Sequence, residues 1–388
     1  MEPDPRYADA SVTIFEVMSG LAREYGAINL GQGFPEDPGP LEIRQFAADA
    51  AVHGWNQYAP SRGLPELRAA VAEHYGRLHH LELTPEEVLI TSGATEALAA
   101  SIAAWVLPSD EVVIFEPAYD AYRPLVERAG GVVKSVTLSP PDWRITAEAL
   151  DAVVGAKTRA VIFNNPMNPA ARMVPPSELE LLSDVCVRHD LLVISDEVWE
   201  HVRLGEQRHL PLPAVARMRE RTIKIGSAGK MFGLTGWKIG FVCGPQNLID
   251  PVARAHQFIT FATPPLLQTA VAKGLAYDAA WFDAAADEMA RRYQLLKQAL
   301  TAQGFHCLDS DGTYFLNVDL SASGIETSDV DFCDLCVREF GVAAIPVSAF
   351  VSANTDWSVI RLCFAKPDEV LREAADRLGR ARKKLENR

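Results

Sequence analysis

Ser227-Ala-Gly-Lys-Met-Phe-Gly-Leu-Thr-Gly-Trp-Lys-Ile-Gly240 is the most informative stretch of this 388-residue chain. It connects two short apolar runs, Thr222–Ile225 and Ile239–Cys243, which we predict to be β-strands. Lys230 follows small residues, so the backbone there can approach a ligand closely and the amine can point inward. The stretch therefore predicts a connection after a strand that presents an amine to a binding site.

The residues around Lys230 favour covalent chemistry at its amine. A hydroxyl, Ser227, lies three residues before it, and a second cation, Lys238, lies eight residues after it. An amine beside an anion-binding pocket is what a Schiff-base enzyme needs, because the amine captures an aldehyde whose phosphate is held nearby. The alternative is that Lys230 lies in a solvated turn, as lysines beside glycine usually do.

Outward from this stretch, short β-branched runs alternate with longer amphipathic ones. The other predicted strands of this region are Val88–Thr91, Glu111–Phe115, Val132–Leu138, Ala160–Asn164 and Leu191–Ser195. The helices predicted among them are Thr95–Val106, Tyr119–Ala129 and Pro176–His189. Strands joined by helices predict an α/β fold with a mainly parallel seven-stranded sheet covered on both faces. In such sheets, ligands bind beyond the carboxyl ends of the strands.

The two ends of the chain have a different pattern. The N-terminal part contains one helix, at about 11–25, and then an extended segment rich in Gly and Pro. The C-terminal part contains a long helical run, two strands and two helices, at about 281–303, Thr313–Leu320, 328–340, Val359–Phe364 and 367–385. We therefore predict three parts, which are an arm at 1–45 that packs with the small domain, a large domain at 46–280 and a small α+β domain at 281–388.

Polar motifs follow several predicted strands. Gly93 permits a tight turn after the first strand, and the amides of Ala94 and Thr95 open a helix and point at any anion placed there. Asp196 ends an apolar strand, where a partly desolvated carboxylate needs a cationic partner such as a protonated pyridine nitrogen. The alternatives are a simple capped helix start at Thr95 and a structural acid at Asp196.

Three further side chains are candidates for ligand contacts. Prolines restrict the backbone around Asn168, so its side chain can be fixed toward a ring substituent. Tyr119 can offer a flat face for stacking. Arg361 lies in an apolar strand and needs an anion, for which a carboxylate fits the planar guanidinium. The alternatives are a loop asparagine, a core aromatic and an arginine paired with an internal acid.

In chain order these segments resemble a known family. Ser-Gly-Ala-Thr at 92–95, Asn-Pro-x-Asn-Pro at 165–169, Ser-Asp-Glu-Val at 195–198, Ser-x-x-Lys at 227–230 and a late arginine are similar to the class I/II pyridoxal-phosphate aminotransferases of fold type I. The resemblance covers nearly the whole chain. The branch with kynurenine, glutamine and methionine aminotransferases is the most similar, on the motifs at 13–22, 28–35, 57–60 and 236–240.

The resemblance implies roles for individual residues. Lys230 would form the Schiff base with pyridoxal 5′-phosphate and move the proton at the substrate's α-carbon, with Asp196 and Tyr119 completing the catalytic set. The implied cofactor-binding residues are Gly93, Ala94, Thr95, Tyr119, Asn168, Asp196, Trp199, Ser227, Lys230, Lys238 and, from the neighbouring subunit of a homodimer, Tyr58. The substrate carboxylate would be held by Gly33, Asn164 and Arg361.

Two positions depart from the family pattern. The family usually has tyrosine three residues after the pyridine-binding aspartate, where this chain has Trp199. It also usually has Asn-Pro-x-Gly, where this chain has Ala171 in place of glycine. An alanine there implies either a turn without a left-handed residue or a slightly strained one.

The resemblance implies transamination, in which an amino acid gives its amino group to the cofactor and a 2-oxo acid then takes it in ping-pong order. The main alternative is a β-lyase acting on cysteine S-conjugates or cystathionine. A ligand-sensing regulator would need a DNA-binding module ahead of residue 30, which we do not expect. A decarboxylating acyl-CoA synthase of the same fold would need another pattern around the aspartate. No second arginine can be assigned to a side-chain carboxylate, which favours neutral, aromatic or sulfur-containing substrates.

Composition limits the partners. The formal net charge of −14 disfavours binding to nucleic acid. No apolar run reaches the roughly 18 residues that span a bilayer, and no export signal is recognisable, so we predict a cytoplasmic enzyme. Cys333 and Cys336 form a C-x-x-C motif without a second pair at zinc spacing, and we predict structural thiols and no metal site. We expect His201 and His209, which flank a turn, to be surface residues.

Overall fold

The computed structural model describes residues 12–386. Its strands are β1 (Ile28–Asn29), β2 (Val88–Ser92), β3 (Glu111–Glu116), β4 (Val132–Thr137), β5 (Thr158–Asn164), β6 (Leu192–Asp196), β7 (Thr222–Ser227), β8 (Ile239–Cys243), β9 (His306–Cys307), β10 (Phe315–Asp319), β11 (Val342–Ala343), β12 (Ile345–Pro346) and β13 (Val359–Cys363).

The α-helices alternate with these strands through most of the chain. They are α1 (Ile14–Glu24), α2 (Leu41–His53), α3 (Pro65–His79), α4 (Gly93–Trp105), α5 (Tyr122–Arg128), α6 (Ala147–Asp151), α7 (Pro176–Arg188), α8 (Ala228–Met231), α9 (Gln246–His256), α10 (Pro265–Leu275), α11 (Ala279–Ala302), α12 (Asp329–Leu335) and α13 (Asp368–Glu386). Within residues 12–386, no helix combines the length and apolarity that crossing a membrane requires.

The large sheet has seven strands in the order β2-β8-β7-β6-β5-β3-β4. Strand β8 runs antiparallel to both of its neighbours, β2 and β7, whereas the other pairs are parallel. This confirms the predicted mainly parallel seven-stranded sheet. The main boundary difference is at α5, which begins at Tyr122 rather than at Tyr119.

Helices cover both faces of this sheet. Along β5, Ala160 and Ile162 belong to a core with α4, α5 and α9, whereas Val161 and Phe163 belong to a core with α6 and α7. Alternate side chains of a strand point to opposite faces, so a strand buried on both sides must be apolar throughout. A third core, formed with α2, α3 and α10, packs on β2 and β8.

The second sheet is small and antiparallel, with the strand order β12-β13-β10-β9. The helix expected at 328–340 is divided into α12 and a π-helical turn, Cys336–Phe340, which ends at Gly341 with φ 68°. Cys333 and Cys336 are buried free thiols, as expected for structural cysteines. These elements share one core with α11, α13 and residues of the N-terminal segment.

The N-terminal segment is tied to this smaller core. The first helix, α1, corresponds to the helix predicted at about 11–25, although residues 1–11 lie outside the described part. Strand β1 pairs in parallel with β11. The amide of Leu30 donates to the carbonyl of Ala343 at 2.9 Å, and the amide of Cys363 donates to the carbonyl of Leu30 at 2.7 Å. The segment after β1 is thereby held against the end of β13.

The surface location predicted for His201 and His209 is wrong. His209 is buried, with Nε2 2.8 Å from Oε2 of Glu197, and the Nε2 of His201 lies 3.0 Å from that of His74. The turn after β6 packs against α3, a helix more than a hundred residues earlier in the chain. Spacing along the sequence cannot reveal such a contact.

Candidate active site

A cavity of about 320 Å³ opens beyond the carboxyl ends of the parallel strands, and we call it the main cavity. All the predicted site residues except Tyr58 line it. They are Gly33, Gly93, Ala94, Thr95, Tyr119, Asn164, Asn168, Asp196, Trp199, Ser227, Lys230, Lys238 and Arg361. Tyr58 lies on the surface and is 84% exposed. The sequence motifs at the strand ends therefore meet in one place.

Lys230 lies in the single turn of α8, directly after β7. Ser227 is the N-cap of this helix, and its Oγ accepts a hydrogen bond from the amide of Lys230 at 3.4 Å. The amine of Lys230 donates to the carbonyl of Gly33 at 2.9 Å. Burial lowers the pKa of Lys230 to about 8, and the positive charges of Arg361 and Lys238 lower it as well. The amine is thus closer to its neutral, nucleophilic form than an ordinary lysine.

One end of the main cavity is suited to an anion. Helix α4 begins at Gly93 with φ 74°, and Lys238, with φ 56°, lies opposite it. A Cβ atom added to Gly93 would lie 3.2 Å from Cε of Lys238, and one added to Gly240 would lie 2.6 Å from the carbonyl carbon of Gly93. Glycine is therefore needed at 240, where larger residues would clash, and the amides that open α4 lie beside a cation.

Asp196 supplies a buried negative group at the opposite wall. Its Oδ2 accepts a hydrogen bond from the hydroxyl of Tyr122 at 2.7 Å, and its Oδ1 lies 3.4 Å from the donating amide of Val198. Burial raises the pKa of Asp196, opposed mainly by the hydrogen bond from Tyr122. Asp196 makes no ion pair within the described residues. A cation placed beside it would stabilise its charged form.

Arg361 is buried on β13 and faces the same cavity. Its Nη1 donates to Oδ1 of Asn168 at 2.7 Å, and its Nη2 donates to the carbonyl of Gly31 at 2.8 Å. Its Nε is buried without a hydrogen-bond partner in the described part of the chain, and no acid there forms an ion pair with it. The guanidinium also lies 3.8 Å above the ring of Phe315. The internal acid considered as an alternative forms no ion pair with Arg361 in residues 12–386, although the charge of Asp120 acts on Arg361 and raises its pKa, opposing the burial that lowers it.

Hydrogen bonds fix the two asparagines. Nδ2 of Asn164 donates to the carbonyl of Asp196 at 2.8 Å, and its Oδ1 accepts from the amide of Asn168 at 2.7 Å. Through Asn168 this chain of contacts reaches Arg361, so the ends of β5, β6 and β13 are linked. Ala171, two residues after a cis Asn168–Pro169 bond, has φ 59°. The second departure from the family pattern is therefore a left-handed alanine, which is the strained alternative.

Trp199 is buried and forms one wall of the main cavity. Its ring meets those of Tyr314 and Phe315 edge to face, with centroids 4.8 and 5.4 Å apart. The amine of Lys230 lies 4.5 Å from the centre of the indole ring. The aromatic face is thus placed to interact with a positive charge on Lys230.

Several lining residues were not predicted from the sequence. They are Phe15, Gln32, Phe34, Leu98, Tyr122, Val198, Gly229, Thr235 and Phe315. The sequence signal for Tyr122 was its position three residues after Tyr119. In the structure the two rings meet edge to face at 5.6 Å. No comparable signal exists for Phe15 and Phe315, because nearly the whole chain separates them.

Comparison with known proteins agrees with this geometry. The family model for aminotransferase class I and II matches residues 25–378. The chain is 38% identical to methionine aminotransferase of Escherichia coli, over 97% of each chain. It is 42% identical to a probable N-succinyldiaminopimelate aminotransferase of Mycobacterium tuberculosis, over 95% of this chain and 96% of the relative.

Solved structures of proteins with these two activities have the same fold. The methionine aminotransferase structure from Escherichia coli superposes with a TM-score of 0.94 at 38% identity, covering 98% of this chain and all of that one. The Mycobacterium tuberculosis N-succinyldiaminopimelate aminotransferase structure superposes with a TM-score of 0.95 at 41% identity, with the same coverage. With such identity over nearly its full length, the chain belongs to the class I and II aminotransferases and is a pyridoxal-phosphate-dependent enzyme of fold type I.

Proposed function

We propose that the enzyme transfers the α-amino group of an amino acid with a neutral side chain to a 2-oxo acid, in ping-pong order. The observation that carries this proposal is the buried, unpaired guanidinium of Arg361, which shares the main cavity with Lys230. A buried guanidinium without an anion is costly, and a substrate α-carboxylate would satisfy it in bidentate fashion. Asn164 and the backbone of Gly33 would complete the carboxylate site.

The choice of a neutral side chain rests on the lining of the main cavity. Among the described residues that line the main cavity, Arg361 is the one arginine. No second guanidinium is therefore available there for a side-chain carboxylate of the substrate. Phe15, Phe34 and Phe315 contribute apolar surface instead. Aromatic and sulfur-containing substrates fit such a wall, and relatives of this chain are named for methionine and for kynurenine.

The residues present fit pyridoxal phosphate. The phosphate would be held by Ser227, Lys238 and the start of α4 at Gly93, Ala94 and Thr95. Tyr119 would stack on the ring, Asn168 and Trp199 would contact the ring oxygen, and Asp196 would hold the protonated ring nitrogen. Two groups of the main cavity favour ligands of opposite charge: the Nε of Arg361 has no hydrogen-bond partner in the described residues, and the carboxylate of Asp196 makes no ion pair there.

When bound, the cofactor supplies an electron sink for the pair of electrons left on the substrate's α-carbon. The residues of the chain would transfer the protons and position the substrate. Lys230 would take the α-proton and pass it to the cofactor's C4′ carbon, and it would move a proton in the reverse direction when the 2-oxo acid reacts. Its lowered pKa suits a base that works near neutral pH. Asp196 keeps the ring nitrogen protonated, and Arg361 fixes the carboxylate so that the α-proton faces Lys230.

We also propose that the active unit is a homodimer in which Tyr58 reaches the neighbouring subunit's phosphate site. Large apolar side chains cluster on one surface, including Trp55 and Phe258, and the ring of Tyr58 lies 5.6 Å from that of Phe261. A cluster of exposed large apolar side chains is typical of a protein–protein interface. The division at residues 45 and 280 and the cytoplasmic location remain predictions.

A half-reaction screen tests the proposed function. Purified cofactor-loaded enzyme is mixed with single amino acids, and loss of the cofactor's visible band is recorded. We expect methionine or an aromatic amino acid to react faster than aspartate.

Borohydride treatment of the loaded enzyme should leave a pyridoxyl group on Lys230, and Lys230→Ala should bind the cofactor but not turn over. Absence of the adduct or normal turnover by the variant would refute the role of Lys230.

The β-lyase alternative has a separate test. Release of pyruvate and ammonia from a cysteine S-conjugate, without any 2-oxo acid acceptor, would indicate elimination. The relatives compared above are named aminotransferases, which disfavours this alternative. We therefore expect elimination to be slow compared with amino transfer.

A further inference from the structure

A small second cavity of about 60 Å³ lies next to the turn that follows β6. His79, His201 and His209 line it together with Glu200 and Phe282. His74 lies beside it, with its ring edge to face with that of Phe282 at 5.1 Å. None of these residues lines the main cavity, so the proposed amino transfer does not account for them.

Three of these imidazoles converge, and we call His74, His79 and His201 the histidine cluster. Their ligand nitrogens all lie within 4.8 Å of one another. Nε2 of His74 and Nε2 of His201 are 3.0 Å apart. Nε2 of His79 is buried and has no hydrogen-bond partner in residues 12–386. Buried polar atoms normally find a partner, so an unpaired nitrogen here indicates a missing ligand.

Charged groups of both signs lie next to the histidine cluster. The ammonium of Lys224 lies 2.6 Å from Glu200 and 3.4 Å from Glu197, so it pairs with both acids. Arg203 and Arg208 also line the second cavity, and both pair with Asp283. His209, whose Nε2 is bound to Glu197, is also buried and has an unpaired Nδ1.

We propose that His74, His79 and His201 bind one divalent transition-metal ion, with Zn²⁺ as the best-fitting member of the class. Imidazole suits Zn²⁺, Co²⁺, Ni²⁺ and Cu²⁺, and three imidazoles with one open position are a known zinc arrangement. Zn–N distances of about 2.0–2.1 Å put two tetrahedral ligand nitrogens about 3.3 Å apart. The 3.0 Å separation of His74 and His201 therefore needs to widen by only a few tenths of an ångström.

The ion would connect two elements that are distant in the sequence. His74 and His79 belong to α3, whereas His201 belongs to the turn that follows Asp196 and Trp199. Because the folded chain gathers the three ligands and the unfolded chain does not, binding should stabilise the folded state. This proposal does not depend on the identity of the amino-acid substrate.

Equilibrium dialysis with Zn²⁺ tests the proposal. Full-length, tag-free, cofactor-loaded enzyme is dialysed against buffered Zn²⁺ and analysed for metal, and its Tm is measured with and without the ion. We expect one ion per chain and a higher Tm. His79→Gln should weaken binding at least about tenfold and remove the Tm increase, because even changes outside the ligand set cost that much.

The chain offers a matched control. His80 is the exposed residue after His79, so His80→Gln should leave Zn²⁺ binding unchanged. Because Nε2 of His79 makes no hydrogen bond in the described residues, His79→Gln should still fold. His201→Gln is a second, independent variant of a proposed ligand. No bound ion in the natural sequence, or binding that both ligand variants retain, would overturn the proposal.

Discussion

Lys230 is enclosed by groups of both signs, and the balance among them sets its reactivity. Burial, Arg361 and Lys238 all favour the neutral amine, whereas Asp196 favours the charged one. The nearby face of Trp199 also stabilises a positive charge. A pKa of about 8 places the change between these forms within the working range of an enzyme.

The first prediction concerns how the cofactor-free protein captures pyridoxal phosphate. The neutral amine is the nucleophile, so its fraction, and the capture rate, should rise about tenfold per pH unit below pH 8 and then level off. Stopped-flow absorbance measures the rate. The Lys230→Ala variant can bind the cofactor but should show no covalent capture at any pH. A rate that keeps rising to pH 10 would contradict the lowered pKa.

The second prediction concerns Trp199. A tyrosine there would donate a hydrogen bond to the ring oxygen and favour loss of the proton near Lys230, whereas the indole face favours the cation. We expect Trp199→Tyr to lower the apparent pKa of the pH-dependent visible band of the loaded enzyme. A spectrophotometric titration measures it, with Trp237→Tyr, outside the main cavity, as the control. An unchanged pKa in Trp199→Tyr would refute the prediction.

At the scale of elements, the ends of strands and the starts of helices create the site. Sequence motifs predicted this well, because the carboxyl ends of parallel strands meet at one edge of a sheet. Asp196, Asn168 and Lys230 could thus be assigned to one site before the structure was known. The histidines could not, because 127 residues separate His74 from His201 and only the packing of α3 against the turn after β6 brings them together.

The third prediction concerns the start of α5, where Tyr122 supports Asp196. Removing its hydroxyl takes away a donor to a buried carboxylate, which is worth about 1.5–3 kcal/mol for a charged acceptor. We expect Tyr122→Phe to weaken pyridoxal-phosphate affinity by about 10–100-fold. Fluorescence titration of the cofactor-free protein measures this affinity.

A distant tyrosine provides the control for this variant. Tyr277 donates to Oε2 of Glu42 at 3.0 Å and does not line the main cavity. Tyr277→Phe also removes a hydroxyl–carboxylate hydrogen bond, but it should leave cofactor affinity unchanged. Equal affinities for Tyr122→Phe and the natural enzyme would show that Asp196 needs no support from α5.

At the scale of the whole molecule, the exposed apolar surface around Tyr58 is the main feature without a partner in one chain. The sequence resemblance predicted that Tyr58 serves a neighbouring subunit, and its 84% exposure is compatible with this role. Sequence patterns could not identify Phe258 and Phe261 as part of the same patch, since exposure depends on the final packing.

The fourth prediction concerns this surface. Phe258 is 86% exposed in the single chain, so Phe258→Asp should not disturb its fold. In a dimer it would place a charge in an apolar interface, and we expect a shift toward monomer and a lower cofactor affinity. Sedimentation velocity measures the shift. Leu107→Asp, which changes another exposed apolar residue, is the control and should remain dimeric. If the natural enzyme is itself a monomer, the prediction is contradicted.

The hydrogen bond between Arg361 and Gly31 joins positions 330 residues apart. During synthesis on the ribosome, the site for the substrate's carboxylate can therefore be completed only after β13, the last strand, has been made. A nascent chain stalled before β13 would contain Lys230 and the phosphate-binding residues at the start of α4. It would lack the guanidinium of Arg361. Truncated products of this kind would therefore lack the site for the substrate's carboxylate.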